Sequence, residues 1–421
     1  MAEPQPFVGG HRYWTCSLTA ALALGVVVNV PSGCRPGGDR TDGTAESVLQ
    51  SAARYLWSQQ ADDGGWHSAT HGILSGGEAW TPFTAYYLFQ VPGSVLPRPE
   101  GRMEAAQSFI RAHVNADGVI GLSDPAVMEY PNYATSYALR VMSRWGEASD
   151  SSLVRAMVRY LQRQQFVEYR GIDSDHLAYG AWGFGETGIP PGQIGHIDLS
   201  HTRRVLEALR SIARVGAAGP QNATAARGEI SEGLARAQYY LRILQKHPDE
   251  TRPAPRAKEN DPAPSFDGGF YASTTALGTN KGGLVQHPDP SAPAYFRTYA
   301  TTTCDGVLAL LAAGVPATDH RVVSARDWLL RHDSLETVPG ILPGRPGDWD
   351  QVLFFYHLLV RAEAYAALGV EGEWRGEIAR ILARHQRPDG SFSNPMGAPN
   401  KEDDPILATT MAVGALLSTM R

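Results

Sequence analysis

The sequence predicts an all-α fold, an (α/α)6 toroid, and three observations predict it. One phrase is written near both ends of the chain, YLWSQQADDGGW at 55–66 and ILARHQRPDGSF at 381–392, each a helix-like tail, a glutamine and an Asp-Gly turn with an aromatic residue after it. Between them the chain alternates helix, glycine turn and helix in about six units. Within each unit the first helix carries Arg, Gln and Glu around an apolar stripe, whereas the second is apolar or small nearly all round.

The units run in order. VLQSAARYLWSQQ leads through ADDGGW to TPFTAYYLFQV, EAAQSFIRAHV through NADGVIG to NYATSYALRVM, and LVRAMVRYLQRQQ through YGAWGFGE to DLSHTRRVLEALR. GLARAQYYLRILQK leads through FDGGFY to TYATTTCDGVLALLAAG, VVSARDWLLRH through GILPGRPGDW to QVLFFYHLLVRAEAYAALG, and IARILARHQ through RPDGSF to PILATTMAVGALL. One polar-backed and one buried helix per unit can close into a ring, with the buried helices lining its inside. Closure removes exposed ends, so no capping repeats are needed. Asp-Gly suits left-handed backbone after a helix, and the aromatic residue can fold back onto the helix ends.

The phrase resembles the QW motif of the terpene cyclases: Gln59 or Gln60 with Gly65 and Trp66, then Gln386 with Gly390 and Phe392. Over roughly residues 46–418 the chain looks like the prenyltransferase and squalene-cyclase repeat, a resemblance that implies an α/α toroid around an apolar cavity.

The remaining features bound the domains and partners. The hydrophobic share is 43%, the charged share 19% and the net charge −6, so no basic face is implied and nucleic acid is excluded as an expected partner. Three cysteines, Cys16, Cys34 and Cys304, cannot make a disulfide framework. Residues 1–34 read as an export signal: His11 and Arg12, then the apolar CSLTAALALGVVVNV, then PSGC, in which Cys34 stands where a bacterial lipoprotein is lipidated. Pro31 stands where that pattern usually has Leu, and a cleaved signal is the alternative. A linker at 35–46 precedes a single toroid domain at 47–421. The expected location is the periplasm or cell envelope, with the membrane reached only through a lipid anchor. HPDETRPAPRAKENDPAPS at 247–265 reads as a loop or arm interrupting the fourth unit.

The resemblance places function at the mouth and interior of the ring. Aligning the inner helices gives a column of Ala85, Ser136, Thr202, Cys304, His357 and Thr410, at similar depth near the helix starts. Helix N-termini converging there offer amide donors to an anionic or carbonyl-bearing ligand. Squalene–hopene-type cyclases use D-x-D-D-T at such a start. DLSHT shares that frame, with Asp198 and Thr202 matching, but Ser200 replaces the proton donor and His201 the last Asp. Serine does not protonate an alkene, so cyclisation by the family mechanism is not expected; DWDQ, with Asp348 and Asp350, is a second near-match.

The resemblance also brings in protein prenyltransferases, whose zinc ligands are an Asp and a Cys two residues apart plus a later His. Here Asp305 follows Cys304 directly, so no such set is expected and no metal or cofactor is named. Cys304 and His357, flanked by Asp305, His201 and Tyr356, are then either a Cys–His nucleophile pair or packing residues. Asp403 and Asp404 before Pro405 read first as a helix cap. Their alternative is a carboxylate couple with Asp348 or Asp350 across the mouth, as in (α/α)6 glycosidases. Trp182 and Phe270 near the turns could stack on a ligand or pack the turns. Three functions therefore stay open: a toroid that binds an isoprenoid, lipid or other ligand, an enzyme on an isoprenoid, and a carbohydrate-active hydrolase or lyase. No protein partner is named.

Overall fold

Six helices of the computed structural model stand side by side as an inner ring: α2 (Trp80–Leu88), α4 (Pro131–Trp145), α6 (Leu199–Val215), α8 (Ala300–Ala312), α11 (Phe354–Leu368) and α13 (Pro405–Thr419). Each packs on the next, and α13 packs on α2, which closes the ring. Six others alternate with them in sequence and lie outside: α1 (Ala45–Ser58), α3 (Arg102–His113), α5 (Ser151–Arg163), α7 (Thr224–Leu244), α9 (His320–Arg331) and α12 (Trp374–His385). A single turn, α10 (Trp349–Val352), leads into α11, and a two-residue hairpin pairs β1 (Leu284–Val285) with β2 (Tyr295–Phe296). The structure describes residues 44–421 except 125, 216–223, 251–265 and 286–294. The expected export signal with Cys34, most of the linker and most of the proline-rich arm lie outside the described residues. Among the described residues no helix is long and apolar enough to cross a membrane.

The amphipathic pattern sorts the helices as expected. In α5, Met157, Val158, Tyr160 and Leu161 are buried while Arg155, Arg159 and Arg163 are exposed. In α13 every residue from Ile406 to Thr419 is buried. The helix-cap reading of Asp404 holds: its carboxylate accepts from the Ile406 amide at 2.8 Å, with Pro405 opening the helix.

The repeated phrase is a latch. The Gln60 amide donates to the Gly64 carbonyl of its own turn and to the Arg102 carbonyl of α3, the next outer helix. Gln165 does the same to Gly180 and Gly233, Gln245 to Gly268 and Arg321, and Gln386 to Gly390 and Val48. The last of these ties the sixth unit to the first. Gly390 shows why the turn needs glycine: its φ is +89°, and a Cβ would stand 2.4 Å from the Ser51 carbonyl oxygen. Trp66 and Trp182 fold back and donate their indole N–H to Leu56 and Leu161 of their own outer helices, both at 2.7 Å.

In five of the six units a threonine hydroxyl takes the turn amide, which corrects the sequence-derived column. The hydroxyls of Thr81, Thr135, Thr202, Thr303 and Thr409 accept from the backbone N–H of Trp66, Ile120, Trp182, Phe270 and Phe392. The equivalent positions are therefore Thr81, Thr135, Thr202, Thr303 and Thr409. Ala85 lies one helical turn too deep, and Ser136, Cys304 and Thr410 lie one residue late. One residue turns a helical side chain by about 100°, so Cys304 is the counterpart of Arg203, not of Thr202.

Candidate functional site

A cavity of about 370 Å³ opens among the N-terminal ends of the inner helices and the loops before them. Its walls are aromatic: Trp80 and Phe83 from α2, Tyr133 from α4, Tyr299 before α8, Trp349 from α10 and Tyr356 from α11. Leu199, Leu353, Leu407 and Met411 add aliphatic surface. Polar side chains share the wall: His196, Asp198, His201, Lys281, Asp305 and Lys401 also line the cavity, together with Ser200, Asn400 and three threonines.

The first polar set is Asp198 with two histidines. Asp198 accepts from the His201 backbone N–H at 2.9 Å and from His201 Nδ1 at 3.0 Å, while its second oxygen faces His196 Nε2 at 3.1 Å. Ser200 donates to the same carboxylate at 3.0 Å. Burial opposes the charge, but the two imidazoles and the amide hold Asp198 well below the usual carboxylate range. With Nδ1 committed to the carboxylate, His201 Nε2 is the nitrogen left with a lone pair, and it is buried without a hydrogen-bond partner. The ring is wedged among Phe184, Tyr133 and Tyr130, at centroid distances of 4.6, 5.7 and 6.0 Å. His201 is thus an imidazole oriented by a carboxylate at the wall of the cavity.

The second set is Asp305. One oxygen accepts from Arg203 at 2.7 Å and the other from the Tyr356 hydroxyl at 2.8 Å. Burial raises its pKa above the ordinary carboxylate range, with Arg203 and Arg204 opposing the rise. Behind it lies a buried ion cluster. Arg203 also meets Glu207 at 2.7 Å and contacts Glu363; Arg204 meets Glu207 at 3.2 Å and Arg140 meets it at 2.9 Å. The Tyr87 hydroxyl donates to Glu363 at 2.6 Å. Three arginines balance three acids, drawn from α4, α6, α8 and α11. Arg140 and Glu207 line a further cavity toward the other ends of the inner helices, so the cluster stands between the two.

At the rim, Lys281 lies 3.8 Å from the centre of the Trp349 ring and Lys401 lies 5.5 Å from that of Tyr130. Burial lowers the Lys281 pKa. Glu402 beside them is fully buried and accepts from the Phe355 and Tyr356 amides, both at 2.9 Å, at the start of α11. Its burial outweighs these donors and pushes its carboxyl up to about 7.

Of the residues singled out in the sequence, Asp198, Ser200, His201, Asp305 and Tyr356 come together at the cavity. The others go elsewhere. Thr202 is held by Trp182 and Asp198 backbone groups, and Trp182 and Phe270 are fully buried in their turns, not exposed to a ligand. Asp348 and Asp350 flank Trp349, which lines the cavity while they do not. Asp403 pairs with His71 at 2.8 Å, and Asp404, besides its cap, accepts from Ser68. With these commitments they form no couple across the mouth. Sequence reasoning missed the ion cluster, although the charged run TRRVLE in an inner helix was its signal.

Cys304 and His357 are both fully buried. His357 Nε2 is bonded to the Ser334 carbonyl at 2.9 Å, and burial with nearby Arg361 brings its pKa down to about 3. Burial pushes the Cys304 thiol up to about 12. Iodoacetamide labelling of Cys304 in the folded chain should therefore stay negligible from pH 7 through 9, where a free thiol with a pKa of about 8.5 would react. Labelling that rises through that range and drops in His357→Ala would restore the nucleophile pair.

Fold and cavity together define an α/α toroid with a cavity at the N-terminal ends of its inner helices. No protein-family model and no curated protein matches the sequence. Among solved structures, the type II terpene cyclase MstE from Scytonema aligns with 89% of this chain and 97% of its own, at 14% identity and a TM-score of 0.51. A variant of MstE holding its substrate, geranylgeranyl dihydroxybenzoate, aligns over 89% of this chain and 97% of its own, at 14% identity and a TM-score of 0.50. A variant of UGL solved with dGlcA-Glc-Rha-Glc covers 89% of this chain and 95% of its own, at 12% identity and a TM-score of 0.52. At these identities the shared property is the fold, which serves both terpenoid and carbohydrate chemistry.

Proposed function

We propose that the cavity binds an isoprenoid or a similar unsaturated apolar chain, with its polar end at His201 and the rim lysines. The observation that carries this reading is the wall. Aromatic faces and Leu and Met side chains meet alkenes and methyl groups without stranding polar atoms, and the cavity volume falls in the range of small-ligand sites. MstE supports the reading as a toroid whose substrate has a geranylgeranyl chain and an aromatic acid head.

A second reading is catalytic. Asp305 stands at the wall of an aromatic cavity with its carboxylate held by Arg203 and Tyr356, where a negative charge and cation–π contacts would favour a carbocation. Native mass spectrometry with geranylgeraniol tests the binding. One molecule per chain is expected, with affinity reduced by about tenfold or more in Met411→Trp, which fills the cavity. Stoichiometric binding of an acidic oligosaccharide with none of the isoprenoid would replace this reading by the carbohydrate one. Gas chromatography of the same incubation tests catalysis: a cyclised product lost in Asp305→Asn supports it, and unchanged geranylgeraniol removes it.

A further inference from the structure

Away from the cavity, a cluster of unlike character lies where the loop after α7 meets the first residue of α9. His320 Nε2 is 2.6 Å from Asp249 Oδ2, and His247 Nδ1 is 3.6 Å from the same oxygen. All three donor atoms lie within 4.8 Å of one another.

We propose that His247, Asp249 and His320 form a binding site for a divalent transition-metal ion of the zinc type. The lone pairs make the case. His247 Nδ1 accepts the Asp249 backbone N–H at 3.3 Å, so that nitrogen acts as an acceptor. An imidazole nitrogen and a carboxylate oxygen face each other at 3.6 Å, His320 Nε2 closes the triangle, and a cation would take the Nδ1 lone pair from the long 3.3 Å contact with the Asp249 amide. One cation satisfies all three.

The donor set fits the ion class. Two imidazole nitrogens and one carboxylate oxygen suit zinc and its neighbours, whereas calcium and magnesium want oxygen alone. Bonds of about 2.1 Å at tetrahedral angles place ligand atoms about 3.4 Å apart. The 3.6 Å separation already matches this. The 2.6 Å pair must open slightly, which side chains 60% and 52% exposed can do. Their exposure also leaves the remaining coordination positions to water. Both supporting segments are fixed. Lys246 bonds through its backbone to Gly268 and Gly269 beside the Gln245 latch, and Asp319 caps α9 through the Arg321 amide. Asp319 Oδ1 stands 3.8 Å from His320 Nδ1, where a small closure would orient the ring as carboxylates do behind metal-bound histidines. A bound ion would clamp the fourth unit to the fifth.

The test uses the untagged full chain, stripped with a chelator and titrated with zinc chloride against a chromogenic zinc indicator. One tight equivalent per chain is expected. His320→Ala and Asp249→Asn, both at exposed side chains, should each weaken it by about a hundredfold or more, with unchanged far-ultraviolet circular dichroism. Zinc should also raise the thermal midpoint of the wild type and not of either variant. Absence of a stoichiometric site, or equal zinc affinity in His320→Ala, overturns the proposal and leaves a His320–Asp249 ion pair in its place.

Discussion

Arg203→Met is expected to lower the folding stability by about 3–5 kcal/mol, read as a fall in the urea midpoint at unchanged slope. Arg203 is 1% exposed and its guanidinium serves Glu207, Asp305 and Glu363 at once. Its removal leaves three buried acids facing two arginines, and the resulting charge has no solvent to turn to. Arg203→Lys should recover only part of the loss, because a point charge cannot fork to three carboxylates. Asp305→Asn should cost less than Arg203→Met, since it removes one charge from a cluster that keeps its central cation. A loss below about 1 kcal/mol for Arg203→Met would mean the cluster contributes no more than an exposed ion pair.

Gly390→Ala is expected to cost about 3 kcal/mol or more, combining left-handed strain with displacement of α1. The added methyl would sit 2.4 Å from the Ser51 carbonyl oxygen at a φ of +89°. The contact is backbone, so no side chain can swing aside. Gly93→Ala is the control: nothing lies within 4 Å of its added Cβ, and its φ is not in the left-handed region. It should be neutral or stabilising by a few tenths of a kcal/mol through the unfolded chain. Parallel thermal melts of the two variants check the pair. Equal midpoints would show that the turn does not need the close approach of the sixth unit to the first.

The ring was legible because its cause is local. Alternating polar-backed and apolar helices, punctuated by Asp-Gly turns, state in sequence what packs where. The glutamine was also visible, but its second acceptor was not: Gln60 reaches Arg102 and Gln386 reaches Val48, across unit boundaries that no local pattern marks. The candidate site divides the same way. Asp198 and His201 are three residues apart on one helix start, so DLSHT exposed them. The Asp305–Arg203–Glu363 set comes from three helices and could be seen only once they stood side by side. The column error had a specific physical source. An apolar pattern marks a helix start only to within a residue or so, whereas the register is fixed by the threonine hydroxyl that takes the turn amide. That shift gave Cys304 and His357 a common depth, and so a partnership, that their surroundings do not support.

The Gln386–Val48 bond joins residues 338 positions apart, and α1 is packed by α12 and α13. An open solenoid can consolidate each repeat against the one before as the chain leaves the ribosome. This ring cannot finish that way. The apolar face of α1, with Leu49, Ala52 and Leu56 fully buried in the final fold, must wait uncovered until the last two helices have been synthesised. Such long-range closure slows folding and leaves the nascent chain prone to self-association. The seam between the first and last units is therefore the part of the ring that can close only when the whole chain is present.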